Sequence, residues 1–267
     1  MSGYPPERHV LRDLRLWTER DAEATRSGLP VVPEIRGPGG DVRLGALATL
    51  VDVAGGELAV RSARPDWVAT GDIVLHRLRA VRGDSVEARP ALVRRTRTTI
   101  VLEVGLADGA PEPLGLARMT FAIVPAREGQ RRMAVGSDAP RTEFALPGSG
   151  LEEPLAARLG MRCVDAAAGR LELALGPYTV NSLGALQGGV AALLACLAAE
   201  AAGAEALGGP CAARDLALDY LSLAREGPVA TAAALLRRDA SSALLRVESR
   251  DGPGRLTTLA SVGVARV

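Results

Sequence analysis

Residues 181–200 read NSLGALQGGVAALLACLAAE, a glycine-rich turn that runs directly into a long apolar segment. Beyond Gly189 this segment predicts a helix that is apolar on nearly every side, and such a helix must be buried all round. β-rich segments follow the helix along the chain. A buried helix followed by antiparallel strands is typical of an α+β fold in which a sheet wraps around the helix.

The chain contains this arrangement twice. Residues 215–267 laid over residues 72–124 without a gap give 17 identities in 53 positions. Asp108-Gly109 falls on Asp251-Gly252, at places where a hairpin turn needs a positive φ. The sequence predicts central helices from Gly45 to about Ser62 and from Gly188 to about Ala206. In the first copy the predicted strands are 70–81, 86–96, 99–106 and 114–124, and in the second a short hairpin over 161–175 precedes the helix.

The repeat predicts the domain organisation. A chain of 267 residues can hold two domains of about 130 residues each. We expect domains over residues 30–125 and 151–267, joined by a linker over 126–150 that is rich in Gly, Pro, Arg and Ser. For residues 1–29 we expect a helical segment that docks on the body of the protein.

Composition excludes several classes of function. The net charge of +1 gives no electrostatic signal for nucleic acid or for an anionic membrane surface. Three cysteines without C-x-x-C spacing argue against a disulfide framework or a zinc site and favour a reducing cytoplasm. We find no stretch of about 18 uncharged apolar residues typical of a membrane span, and no signal-peptide core in residues 1–20.

The turn before the second helix carries a family resemblance. Asn181-Ser-Leu-Gly184-Ala-Leu-Gln187-Gly188-Gly189 resembles the N-x-x-G-x-x-H-G-G signature of hotdog thioesterases, especially the phenylacetate-pathway and 4-hydroxybenzoyl-CoA enzymes. In that family a carboxylate follows seven residues after the second glycine, and here the first copy supplies it as Asp52 after Gly45. The resemblance implies two tandem hotdog domains that hydrolyse acyl-CoA or acyl-carrier thioesters. It implies no metal or organic cofactor, CoA being part of the substrate.

The glycine pair also has a physical interpretation. Gly188 and Gly189 open a helix, so their N–H groups lack intrahelical partners and lie at the positive end of the helix dipole. Without a Cβ, the backbone can approach a ligand closely. Such a turn is suited to a thioester carbonyl and to the oxyanion that it becomes. The alternative is that the glycines only let the helix pack tightly against a strand.

Asp52 lies among apolar or small residues, apart from Thr49. A carboxylate in such a helix costs several kcal/mol unless it is paired or faces a cleft. This position predicts a general base for water, or a nucleophile on the acyl carbon. The alternatives are a buried Asp hydrogen-bonded to a strand, or one near a frayed helix end before Gly55-Gly56.

The two copies depart from the family pattern in complementary ways. The second copy has Gln187 where the family has His, and Cys196 where the acid is expected. The first copy has Arg43-Leu44 in place of the His-Gly pair. In related dimers each pocket lies at the interface and takes its carboxylate from one subunit and its loop from the other. The resemblance therefore implies one composite site and a second pocket, around Cys196, that is closed or inert.

In the composite site we expect Asp52 to face the loop of the other copy. The N–H of Gly188 or Gly189 would polarise the thioester carbonyl, while Gln187 and Asn181 place the substrate or water. Gln187 can orient these groups by hydrogen bonding but cannot titrate. Cys196 is interpreted as a small apolar residue rather than a nucleophile.

Two other functions stay open at this point. The loss of the family His is compatible with a hotdog protein that binds acyl-CoA or another hydrophobic ligand without turnover. Enoyl-CoA hydratases and dehydratases share the fold, but they use a carboxylate–His pair, and neither His9 nor His76 lies in such a motif. Arg94-Arg95 and Arg237-Arg238 could meet CoA phosphates, although strand arginines are common on surfaces. A monomer and a further homo-oligomer of the double hotdog are both compatible with the sequence.

Overall fold

A computed structural model describes residues 4–21, 24–125 and 140–267. The first half contains these elements: α1 Val10–Asp13, β1 Trp17–Arg20, β2 Thr25–Pro30, α2 Leu44–Ala63, β3 Trp67–Arg77, β4 Ser85–Arg95, β5 Thr99–Ala107 and β6 Gly115–Val124. The second half contains β7 Arg141–Glu143, α3 Leu155–Arg158, β8 Arg162–Asp165, β9 Arg170–Leu173, α4 Gly188–Leu207, β10 Cys211–Tyr220, β11 Val229–Arg238, β12 Ser242–Arg250 and β13 Leu256–Arg266. The predicted central helices and the strands that follow them lie close to their predicted positions.

The strands form one antiparallel sheet in the order β7-β1-β2-β4-β5-β6-β3-β10-β13-β12-β11-β9-β8. The two halves meet where β3 pairs with β10. Val74 lies opposite Ala217, its own counterpart at the 143-residue shift of the repeat. A pseudo-two-fold axis therefore passes through this pair. The prediction of two similar units whose sheets run edge to edge is confirmed.

Each central helix lies against the sheet of its own half, and the two helices also pack on each other. Helix α4 is long and apolar enough, by length and composition alone, to cross a membrane. Within the protein, however, 72% of its most apolar window is buried. The all-round apolar character of α4 thus reflects its place between the sheet and α2, as predicted.

Two glycines bring the central helices into close contact. A Cβ on Gly45 would lie 2.5 Å from the Leu193 Cα, and one on Gly189 would lie 2.4 Å from the Thr49 Cα. These two contacts are equivalent under the repeat, because Gly189 and Leu193 follow Gly45 and Thr49 by the same interval. Each helix therefore places its N-terminus beside the middle of the other, where Asp52 lies on α2.

The N-terminal segment differs from its prediction. Helix α1 is only four residues long, and strands β1 and β2 follow it. The hydroxyl groups of Thr18 and Ser27 hydrogen-bond across these strands at 2.9 Å. The Trp17 ring occupies the space that a side chain at Gly28 would need. The expectation of a helical segment over 1–29 is therefore wrong beyond α1, because cross-strand pairing satisfies this backbone better.

These elements also belong to the repeat. Helix α1 and strands β1 and β2 correspond in order to α3, β8 and β9 of the second half. The chain leaves α1 and α3 through residues in the left-handed region, Arg15 at φ 53° and Gly160 at φ 68°. The structural repeat thus begins at α1 rather than at residue 30.

The predicted linker is only partly described. Residues 126–139 lie outside the described residues. Strand β7, within the remainder, pairs with β1 at the edge of the sheet. Residues 141–143 are therefore strand rather than linker, because the exposed edge of β1 offers them backbone partners.

Arg95 and Arg238, one from each of the repeated arginine pairs, bind the C-terminal ends of the two central helices. Arg95 Nε donates to the Ser62 carbonyl at 2.9 Å, and Arg238 Nη1 donates to the Ala206 carbonyl at 2.7 Å. Carbonyl groups in the last turn of a helix lack intrahelical donors and attract cations. These contacts give Arg95 and Arg238 a structural role in place of the suggested contact with CoA phosphates.

The helix contact can be tested by adding one methyl group. Gly45→Ala would push a Cβ against the backbone of Leu193, and we expect it to lower the free energy of unfolding by about 1–3 kcal/mol. Gly56→Ala is the matched control, because a Cβ at Gly56 meets nothing within 4 Å. It should raise the free energy by about 0.5–1 kcal/mol through helix propensity. Urea unfolding followed by circular dichroism measures both; equal stability of Gly45→Ala and wild type would contradict the contact.

Candidate active site

The Asp52 carboxylate lies at the N-terminus of α4. Its Oδ2 accepts a hydrogen bond from Gln187 Nε2 at 2.7 Å and another from the Gly189 N–H at 3.2 Å. The acid belongs to the first half of the chain and both donors to the second. The structure therefore brings together Asp52, Gln187 and Gly189, which the sequence placed 135 to 137 residues apart. Together with Gly188 they are called the Asp52 site below.

The two glycines serve different contacts. A Cβ on Gly188 would lie 2.8 Å from Asp52 Oδ1 and 2.9 Å from Oδ2, so only glycine admits the carboxylate there. A Cβ on Gly189 would instead strike the backbone of Thr49. Gly188 thus permits the approach of the acid, whereas Gly189 permits the approach of a helix. The alternative of tight packing against a strand is therefore not observed as stated, because Gly189 packs against helix α2 and its N–H also donates to Asp52.

One N–H group at the start of α4 has no acceptor. Gln187 is the N-cap residue, and its Oε1 accepts the Val190 N–H at 2.8 Å. The Gly189 N–H is bound to Asp52. The Gly188 N–H has no acceptor in the described chain, while the Gly188 carbonyl accepts from the Tyr220 hydroxyl at 2.7 Å. Of the two glycine N–H groups considered from sequence, Gly188 is therefore the one available to a ligand.

Burial shifts the acidity of Asp52. Desolvation raises its pKa to about 6, and the hydrogen bonds from Gly189 and Gln187 offset part of that effect. A carboxylate with a pKa close to neutral is ionised at physiological pH and still binds a proton readily. This combination suits a general base.

Asn181 shapes the loop that precedes α4. Its Oδ1 accepts the N–H groups of Leu183 at 2.9 Å and Ala185 at 3.2 Å. Gly184, at φ 71°, completes the tight turn between them. Asn181 also lines a cavity of about 440 Å³ beside Tyr4. Its predicted role in placing substrate or water stays a prediction.

Two tyrosines that sequence reasoning missed lie close to the acid. Burial, and then the nearby Asp52 carboxylate, raise the pKa of Tyr220 well above its ordinary value. The same two causes, in the same order, raise the pKa of Tyr4. Both phenols are therefore neutral at physiological pH. One signal could have indicated Tyr220: the repeat aligns it with Arg77, so the two copies differ at this position. No pattern in the sequence pointed to Tyr4.

Neither histidine reaches Asp52. His9 is buried, and its Nδ1 accepts the Leu11 N–H at 3.2 Å, so Nε2 carries the proton and donates to the Val180 carbonyl at 3.0 Å. Burial lowers the pKa of His9. His76 lies on the exposed face of the sheet and pairs with Asp215 at 2.7 Å. His9 thus ties the N-terminal segment to the loop that begins at Asn181.

The opposite pocket, predicted to be closed or inert, contains a cavity, and whether it is inert stays a prediction. Cys196 is buried, and burial raises the pKa of its thiol, which makes it a poor nucleophile. The pocket itself is not closed, since a cavity of about 280 Å³ lies at Arg43 and Leu44. The charged pair Arg43–Glu200 lines this cavity.

Comparison with solved structures identifies the architecture. The chain superimposes on the tesB protein of Mycobacterium avium subspecies paratuberculosis (TM-score 0.66, 17% identity, 93% of this chain and 94% of that chain). It also superimposes on a hot dog fold protein from Alicyclobacillus acidocaldarius (0.65, 14%, 97% and 98%). This protein is a double hotdog. An oleoyl thioesterase, provisionally so named, from Lactobacillus plantarum gives 0.61 at 10% identity over 97% and 99% of the two chains.

Sequence comparison is more limited. No protein-family profile matches this chain. A protein of Halobacterium salinarum, provisionally named an esterase, is 42% identical over 98 residues. That match spans 33% of this chain and 64% of the halobacterial protein, which is less than two thirds of its length. This match therefore gives no further evidence on the fold, and the activity of the chain is a matter for proposal.

The residues of the Asp52 site do not resemble a metal centre. Among residues 4–21, 24–125 and 140–267, no three His, Cys, Asp or Glu side chains lie close enough together to hold a metal ion. The expectation that the double hotdog needs no metal or organic cofactor stays a prediction.

The raised pKa of Asp52 predicts that this residue destabilises the fold at neutral pH. The folded-state pKa of about 6 exceeds the ordinary value of 3.8, so the penalty develops as pH rises between these values and is absent below them. Asp52→Asn should therefore raise the free energy of unfolding at pH 7.5 by up to about 3 kcal/mol. The difference should vanish below about pH 4. Urea unfolding at several pH values measures it, and a variant less stable than wild type at pH 7.5 would contradict the shift.

Proposed function

We propose that this double hotdog hydrolyses acyl-CoA or acyl-carrier thioesters at the Asp52 site. One observation carries the proposal: a carboxylate from one half is held by Gln187 and Gly189 at the helix N-terminus of the other half. The Gly188 N–H beside it has no acceptor in the described part of the protein. A carboxylate and an N–H group without an acceptor thus lie at the start of the same helix, and acyl transfer to water requires a base and a donor of this kind.

The reaction follows from these positions. The thioester carbonyl oxygen accepts a hydrogen bond from the Gly188 N–H, and Asp52 Oδ1, which binds neither donor, takes a proton from a water molecule. The water oxygen attacks the acyl carbon, and the helix N-terminus stabilises the resulting oxyanion. When the C–S bond breaks, the thiolate leaves and receives the proton from Asp52. The products are a free acid and a thiol.

Gln187 fits this role although it cannot titrate. Its Nε2 holds Asp52 Oδ2, while its Oε1 is bound to the Val190 N–H. The amide is therefore fixed at both ends and keeps the carboxylate in one orientation. Replacement of the family His by Gln187 leaves the orientation of the base intact, which favours hydrolysis over ligand binding alone.

The substrate can approach through the cavity beside Tyr4 and Asn181. Its walls include Leu175 and Val180, and its rim carries the exposed Arg225. Apolar walls suit an acyl chain, and an exposed arginine suits a phosphate of CoA or of a carrier arm. We place the reaction in the cytoplasm, because all three cysteines are unpaired.

Thiol release from a panel of acyl-CoA substrates, detected with DTNB, tests the activity. We expect turnover by the wild type and a loss of at least about a hundredfold in kcat for Asp52→Asn, the scale for removing a catalytic base. Cys196→Ser is the control and should cost little. The wild-type kcat/KM should rise with pH to a plateau above the Asp52 pKa of about 6, because the ionised form is the base. Binding of acyl-CoA without thiol release would favour the ligand-binding alternative instead.

The close approach of Gly188 to the acid gives a second test. Gly188→Ala would place a methyl group within 3 Å of both Asp52 oxygens. We expect kcat/KM to fall at least about tenfold, because the base is displaced from its two donors. Gly105→Ala is the matched control, since a Cβ there meets nothing within 4 Å. Full activity of Gly188→Ala would show that the carboxylate does not work from this position.

A further inference from the structure

The cavity at the N-terminus of α2 is the pseudo-symmetric counterpart of the Asp52 site. It has a volume of about 280 Å³ and is called the second cavity here. Its charged and apolar walls include Asp41, Arg43, Leu44, Arg77, Glu200 and Arg214. The second cavity and the Asp52 site thus both lie where a central helix begins, but their polar groups differ.

The second cavity has lost the internal acid. Cys196 takes the place of Asp52, and Gly45 takes the place of Gly189. In the Asp52 site the helix N–H donates to a carboxylate, whereas the N–H groups of Leu44 and Gly45 have no acceptor among the described residues. The N-cap residue Arg43 makes no capping bond with its side chain. The positive end of this helix is therefore left uncompensated.

The second cavity has also gained a buried cation. Arg77 stands where the Asp52 site has Tyr220, and only 2% of its side chain is exposed. Its Nη1 donates to Asp41 Oδ2 at 2.6 Å and to the Val42 carbonyl at 3.0 Å. Its Nε is buried without an acceptor, and both hydrogen bonds that Arg77 donates to described residues come from Nη1. Buried donors of this kind favour an anionic acceptor supplied from outside.

The two acidic side chains around the second cavity already have partners. Glu200 forms an ion pair with Arg43 and also accepts the Ala213 N–H at 3.1 Å, so both of its oxygens are engaged. Asp41 is likewise engaged by Arg77. Arg214 lines the cavity without an ion pair to any described acid. The walls also include apolar residues such as Val42 and Leu44. A ligand with an apolar part therefore fits this cavity better than a purely polar ligand such as free phosphate.

We propose that the second cavity binds a small organic monocarboxylate. Its carboxylate accepts from Arg77 Nη2 and lies at the N-terminus of α2, and its short aliphatic tail packs on Val42, Leu44 and Ala80. An external acid thereby takes the place that Asp52 holds internally in the other half. The proposal concerns binding alone and does not depend on thioester hydrolysis.

Isothermal titration of the full-length protein with hexanoate tests the proposal. We expect one site per chain and a millimolar Kd, with no binding of hexanol, which has a similar tail and no charge. Cys196→Asp should weaken hexanoate binding at least about tenfold, because it places a like charge beside the Gly45 N–H. Cys196→Asn has the same size without the charge and should keep the affinity.

Arg214→Gln supplies an independent variant on the exposed rim, where the change does not threaten folding. We expect it to weaken hexanoate binding about two- to fivefold, the scale of an exposed charge pair. Absence of binding by the wild type up to about 10 mM hexanoate would overturn the proposal. Equal affinity of wild type, Cys196→Asp and Arg214→Gln would also overturn it, because hexanoate would then bind elsewhere, including the Asp52 site.

Discussion

The hydrogen bonds from Gln187 and Gly189 to the Asp52 carboxylate connect the two halves of the protein at the N-terminus of α4. They need a helix N-terminus, because only there are backbone N–H groups free of intrahelical partners. They also need Gly188, because any Cβ would displace the acid. The acid can approach because Gly45 and Gly189 let the central helices pack backbone to backbone. Helix packing, the glycine positions and the placement of the Asp52 carboxylate are therefore consequences of one arrangement.

Fusion of the two copies into one chain removes the symmetry that a dimer of identical subunits would impose. A substitution in one copy then changes one pocket only. Three pairs of equivalent positions have diverged in this way: Asp52 and Cys196, Gln187 and Arg43, Tyr220 and Arg77. The Asp52 site thus has an internal anion that Gln187 holds, whereas the second cavity has a cysteine and two arginines at the equivalent positions.

Much of this could be predicted from the sequence, because the signals were strong and local. The positions of α2 and α4 followed from their all-round apolar character. The repeat was found because turn residues and strand residues match in the same alignment of the two copies. The pairing of Asp52 with Gln187 and Gly189 followed from the complementary losses in the two copies. The short strands β1, β2 and β7 were missed, because their residues are mixed in polarity and pairing at a sheet edge decides their structure. Tyr4 was missed because its approach to Asp52 depends on the path of the N-terminal segment, which His9 fixes through a contact 171 residues away.

The acidity of Asp52 shows which of two opposing effects prevails in the pocket. Two hydrogen bonds and the positive end of a helix favour the carboxylate, and alone they would hold its pKa below the ordinary value. Burial acts in the opposite direction and is the larger effect, so the pKa lies at about 6. At neutral pH the acid is therefore ionised but poorly solvated, the state in which a carboxylate takes a proton from water most readily. The second cavity has the converse arrangement, in which Cys196 stands in place of the acid and the N–H groups of Leu44 and Gly45 have no acceptor among the described residues.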